Sequence, residues 1–142
     1  MKVPPIERLR PVGLKFSRKE PWTMAKILVV DDEVEACNVL EEFLSSKGHE
    51  VHTALDGPSA LSKFREVKPQ LVFLDMIMPG MGGLDVLKEM KEIDPDVTVI
   101  MVTVVTDHEQ AKETIQSGAY DYITKPVDLN YLENVMMVKL ME

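Results

Sequence analysis

The sequence has 142 residues, enough for one domain with a real core and too few for two comfortable ones. Its composition, 45% hydrophobic and 28% charged, is ordinary for a globular protein, with no apolar run long enough to span a bilayer, no secretory signal and no partner for Cys37, the single cysteine, so a reducing cytoplasm is the expected compartment. The net charge of −8 is uneven, about +4 on residues 1–23 and about −12 on the rest, and an acidic body argues against general nucleic-acid binding.

Residues 1–23 hold four prolines, six Lys/Arg and no sustained period, and read as an irregular basic arm. A second reading folds this arm back on the acidic body with Trp22 as its anchor. From Met24 onward, strands and helices alternate. Ile27-Leu28-Val29-Val30 suits a strand covered on both faces and ends in Asp31-Asp32-Glu33. The first helix follows, with Ala36, Val39, Leu40, Phe43 and Leu44 at helical spacing as its inner face. Lys47-Gly48 closes it. Cys37, on this helix, is most simply a small packing residue. Glu50 to Ala54 alternates weakly and predicts a second strand nearer an edge. Asp56-Gly57-Pro58 starts a second helix, with Ala60, Leu61 and Phe64 inward and Pro69 marking its end.

Leu71-Val72-Phe73-Leu74 is the third strand, running into Asp75 and a loop of Met, Pro and Gly. Gly83 leads into a third helix, with Leu84, Leu87, Met90 and Ile93 inward, and Asp94-Pro95 ends it. Val97 to Val102 is the fourth strand, ending in Thr103. A fourth helix, about Asp107 to Ser117, turns Ala111 and Ile115 inward, and Gly118 stops it. Ala119 to Thr124 is the fifth strand and runs into Lys125-Pro126. Asp128 caps a last helix that reaches about Met141. That helix is apolar beyond one stripe, which suits either a helix end leading into a linker or a partner surface.

This alternation implies an α/β fold, a doubly wound five-stranded parallel sheet of flavodoxin-like type with strand order 2-1-3-4-5. In such sheets the crevice at the carboxyl ends of the strands is the functional one. Strand one brings Asp31 and Asp32 there, strand three Asp75, strand four Thr103 and strand five Lys125. Each has an ordinary reading when taken singly, as a helix cap, a β-branched strand residue or an exposed lysine. Together they make a set of three carboxylates flanked by a hydroxyl and an ammonium. Three such acids repel unless a cation intervenes, and a hard divalent ion such as Mg²⁺ suits oxygen donors. The set fits a cradle for a phosphoryl group, in which positioning and charge neutralisation do the chemistry. With no Ser or Cys nucleophile among them, a carboxylate must accept the group, and Asp75, on the middle strand, is the candidate.

The segments ILVVDDE, LVFLDMIMPGMGG, MVT and DYITKP, in this order, resemble the receiver domain of two-component response regulators from Met24 to Met141. The resemblance implies a receiver domain over 24–142 behind the arm 1–23. It implies that Asp75 takes a phosphoryl group from a phosphohistidine of a sensor histidine kinase or phosphotransfer protein. Asp32 would ligate Mg²⁺ directly, Asp31 largely through water, and the Ile77 backbone carbonyl would complete the site around Asp75. Lys125 would bind the phosphoryl group, Thr103 would move to hydrogen-bond it, and Tyr122 would turn inward with it. The Lys125–Pro126 bond would be cis. The output face would be helix four, strand five and helix five, for a partner or for self-association, with neither nucleic acid nor membrane contacted directly. The only reactions expected are the domain's own phosphorylation and dephosphorylation. Because the sequence ends with the fifth helix, no output domain is expected within it, as in a stand-alone regulator or a receiver cut from a longer protein.

Four positions depart from the pattern. Val104 is bulky where similar domains are small, and Gly82 stands where they often carry Asp. Ile77 and Val105 are apolar and cannot orient an attacking water, so a long-lived phospho-Asp75 is expected. An alternative is a phosphorylation-independent interaction module on the same fold, which Val104 alone favours. An Asp-nucleophile hydrolase would need an acid at Ile77. A flavin-binding module would need a phosphate loop after strand one.

Overall fold

The three strands that are continuously apolar in sequence lie at the centre of the sheet. The computed structural model describes residues 24–104 and 108–142. The arm with Trp22, Val105 and the expected helix start at Asp107 lie outside these residues. The elements, in order, are β1 (Lys26–Val30), α1 (Val34–Ser46), β2 (Glu50–Ala54), α2 (Gly57–Val67), β3 (Leu71–Leu74), α3 (Gly83–Ile93), β4 (Thr98–Thr103), α4 (His108–Gln116), β5 (Asp121–Thr124) and α5 (Leu129–Leu140). The sheet is parallel throughout, ordered β2-β1-β3-β4-β5. This is the 2-1-3-4-5 order expected from the sequence.

Residues Met24–Leu132 form one compact unit. Within it, alternate strand residues face opposite layers. Leu28, Val30, Val72, Leu74, Val99 and Met101 join Ala60, Leu61 and Phe64 of α2 and Val86, Leu87 and Met90 of α3 in one apolar cluster. On the other face, Val29, Phe73 and Val102 share an apolar cleft with Ala36, Val39 and Leu40 of α1. Burying a large aliphatic side chain contributes roughly 1.5–3 kcal/mol, so these two layers supply most of the driving force. Residues Glu133–Glu142 belong to a second unit. There Met136 and Leu140 are buried, whereas Val138 and Met141 are exposed.

Local chemistry sets the helix ends. The Asp56 carboxylate accepts a hydrogen bond from Ser59 N at 2.8 Å and caps α2, with Pro58 in its first turn. Asp128 does the same for α5, accepting from Asn130 N and Tyr131 N. Lys68, at φ 54, ends α2 in the left-handed region. The Lys125–Pro126 peptide is cis, as expected.

Three helix faces differ from expectation. On α1 the buried residues are Cys37, Leu40 and Leu44, whereas Val39 is 53% exposed. The 37-40-44 spacing is itself helical, and the thiol of Cys37 donates to Asp31 O at 3.4 Å, which draws that side of the helix to the sheet. On α3, Val86 is buried and Ile93, at the last turn, is exposed. On α4, Thr114 takes the inner position and Ile115 is exposed. The Thr114 hydroxyl donates to Ala111 O at 2.7 Å, which satisfies it without leaving the helix.

Candidate functional site

Register assembles the site. Val30 pairs with Leu74, and the ladder continues by one rung, with Asp75 N donating to Val30 O at 2.9 Å and Asp31 N to Ala54 O at 3.1 Å. Asp31 and Asp75 therefore leave adjacent strands side by side. Thr103 pairs with Thr124, and Lys125 N donates to Thr103 O at 2.8 Å. The lysine thus follows directly from the end of β5.

Oxygen atoms of Asp31, Asp32 and Asp75 lie within 4.8 Å of one another. Asp31 and Asp75 are buried and Asp32 is exposed. The Lys125 ammonium bridges the two buried acids, at 2.5 Å from Asp31 Oδ2 and 3.3 Å from Asp75 Oδ2, and reaches Glu33 Oε1 at 3.4 Å. Burial raises the Asp75 carboxyl above its ordinary value; a hydrogen bond from Ile77 N at 3.2 Å opposes this, the Asp31 charge adds to it, and Lys125 offsets part of it. Burial also works against the Lys125 charge, but the bond to Asp31 and the two carboxylate charges outweigh it and hold the ammonium above its ordinary value. Cys37, next to Asp31, is pushed up to about 11 by burial and by that acid, so it is a packing residue and not a ready nucleophile.

The remaining residues of the expected set surround this centre. Ile77 is 55% exposed, and Val104, one residue after Thr103, is 59% exposed. Thr103 is fully buried, and its hydroxyl has no hydrogen-bond partner among the described residues. It favours the Asp75 charge only weakly, without forming a hydrogen bond to it. Tyr122 is half-buried against the apolar cluster. Glu33 was not among the expected site residues. Its only signal was its place directly after Asp31-Asp32, where it reads as one more acid in a run. The donor set around Asp31, Asp32 and Asp75 is all oxygen, and burial sets Asp75 against its own charge, which fits a hard divalent cation.

A doubly wound sheet carries its functional crevice at the switch point, and in this α/β domain that crevice holds three acids and one shared lysine. Residues 27–137 match the response regulator receiver domain, and the chain belongs to that family. It is 39% identical over 107 residues to the transcriptional regulatory protein ZraR of Klebsiella oxytoca, covering 75% of this chain and 24% of that protein. It thus spans about a quarter of that relative's length. A CheY-like receiver domain protein from Methanospirillum hungatei JF-1 superposes with a TM-score of 0.80 at 29% identity, covering 83% of this chain and 94% of the other. The CheX–CheY–BeF3–Mg²⁺ complex from Borrelia burgdorferi contains a chain that superposes with a TM-score of 0.78 at 29% identity, over 82% of this chain and 90% of that one. Response regulator receiver domains act in phosphorylation-based two-component signalling. No helix among the described residues is long and apolar enough to cross a membrane.

Proposed function

We propose that this chain is a phosphorylation switch whose acceptor is Asp75, with residues 24–142 as the receiver domain and 1–23 as an accessory arm. The observation that carries this is the carboxyl group of Asp75. It lies buried at the end of the central strand, resists its own charge, and shares one ammonium with Asp31. The donor is a phosphohistidine of a sensor kinase or phosphotransfer protein. Its P–N bond breaks as the Asp75 oxygen bonds to phosphorus, and the imidazole nitrogen leaves and takes a proton. Asp31, Asp32, Asp75 and the Ile77 carbonyl would hold Mg²⁺, which supplies charge neutralisation on the phosphoryl oxygens. The presence of Mg²⁺ in the Borrelia complex supports this assignment.

Lys125 holds the acceptor carboxylate in place and meets the incoming negative charge. Thr103 has a buried hydroxyl free to bond a phosphoryl oxygen. Movement of Thr103 and Tyr122 then resets the surface of α4, β5 and α5, which engages an output partner or a second copy of the domain, a population shift between two arrangements. The setting is the cytoplasm, where such kinases present their phosphohistidine.

The test is intact mass after incubation with acetyl phosphate or phosphoramidate, with and without Mg²⁺, for the parent and Asp75→Ala. A Mg²⁺-dependent gain of one phosphoryl group in the parent alone supports the reading. No gain in the parent refutes it in favour of a phosphorylation-independent interaction module.

A further inference from the structure

The loop that joins β3 to α3 carries Ile77 past the acidic pocket, and it is held at both ends. At its root, Gly83 N donates to Met76 O at 2.9 Å. At its far side, Met81 packs against the apolar cluster and on Gly57, the first residue of α2. A Cβ on Gly57 would stand 2.8 Å from Met81 Cβ and 3.0 Å from both its Cγ and Sδ, inside the 3.4 Å at which ordinary contact begins.

Conformation does not explain this glycine. Gly57 is absent from the positive-φ glycines, which are Gly48, Gly80 and Gly118. It enters the helix with a backbone open to any residue, and glycine there is conformationally the poorer choice. The close approach does explain it. Met81 Cβ is fixed to its own backbone, so no rotamer change clears a methyl group at position 57. Helix α2 cannot easily yield, because Asp56 caps it and Ala60, Leu61 and Phe64 anchor it in the cluster. The loop backbone must therefore retreat. Four residues back along that loop, Ile77 N holds Asp75 Oδ1.

We infer that Gly57, through Met81, is a positioning residue for the 76–82 loop, and so for divalent-cation binding at Asp31, Asp32 and Asp75. The inference rests on the cation site proposed above. The experiment is calorimetric titration of Mg²⁺ into the full chain, with urea unfolding in parallel. Gly57→Ala is expected to bind Mg²⁺ about tenfold more weakly, the low end of what displaced supports of metal ligands cost. Met81→Ala leaves the fold intact but frees the far side of the loop, and it weakens Mg²⁺ binding in the same direction; it decides the matter if Gly57→Ala does not fold. Gly118→Ala is the control. With φ at +109 and Lys91 Cε 2.9 Å from the new methyl group, it strains the fold far from the loop and leaves Mg²⁺ affinity unchanged.

Parent-like affinity in both Gly57→Ala and Met81→Ala overturns the inference. So does an equal loss in Gly118→Ala, which would mark a general effect of instability. A parent that takes up no Mg²⁺ also overturns it. A parent that binds Mg²⁺, responds as expected and yet gains no phosphoryl group refutes the proposed function and leaves the inference standing.

Discussion

Replacing Lys125 with Met keeps the aliphatic stem and removes the one charge that joins Asp31 to Asp75. The three side chains are 15%, 6% and 8% exposed, so the pair lies in a mostly dry setting. Removing one partner from a buried ion pair costs about 3–5 kcal/mol. The low end, about 3 kcal/mol, applies because Asp32 and Glu33 open the pocket mouth to water. With an m value of about 1.5 kcal/mol/M, the urea midpoint falls by about 2 M.

The sign with pH follows from Asp75. Its carboxyl is already above the ordinary value, and losing the ammonium raises it further. A folded state that holds a proton more tightly than the unfolded chain gains stability as pH falls. The deficit of Lys125→Met is therefore full at about pH 8 and shrinks steadily toward about pH 5. Added Mg²⁺ recovers part of the loss by binding only the folded form. Urea titrations at these two pH values, at one ionic strength, are the assay. A loss under about 1 kcal/mol, or a deficit that ignores pH, would refute the account of the site as two charge-opposed acids sharing a cation.

Gly83→Ala places a methyl group 2.2 Å from Asp75 O and 2.7 Å from Met76 Cα, both backbone atoms, so either the first turn of α3 or the end of β3 must shift. The expected cost is about 3 kcal/mol by urea unfolding, with slower phosphoryl uptake; parent-like stability would show that the contact relaxes freely. Leu44→Ala should lose about 2–5 kcal/mol and Val39→Ala under about 0.5, and the reverse order would restore Val39 to the inner face of α1. Exposed Ile77 has no group that orients water, so phospho-Asp75 in the parent should outlast that in the Ile77→Glu variant when decay is followed by mass with Mg²⁺ present. Decay of the parent within seconds, or no faster decay in the variant, counts against that assignment.

The strands were the most legible part of the fold, because β1, β3 and β4 are buried on both faces and can hardly be anything but apolar runs. The acids, Thr103 and Lys125 were legible for a related reason: each directly follows or ends a recognisable strand, and the topology then brings strand ends together. Helix faces were less so. Val39, Ile93 and Ile115 read as inward because they are apolar and fall near the helical spacing of their neighbours. The true phase is set by neighbours that read as ambiguous, a small thiol at Cys37 and a hydroxyl at Thr114 that bonds within its own helix. Glu33 reaches Lys125 only across 92 positions of sequence, a distance that periodicity does not span. The role of Gly57 likewise depends on a contact with Met81 that local pattern leaves unwritten.

The orphan hydroxyl of Thr103 bounds the contrast of the proposed switch. A buried polar group left unpaired costs about 1–3 kcal/mol. If relief of that cost by a phosphoryl oxygen is what favours the second arrangement, the ratio of the two shifts by a factor of about 5–150 and no more. A bias of that size gives a dimmer and not a relay. A shift of that size falls short of the roughly 10⁴-fold bias that carries a population from 1:99 to 99:1. On the reading proposed above, an output partner would supply the rest of the contrast through its own affinity.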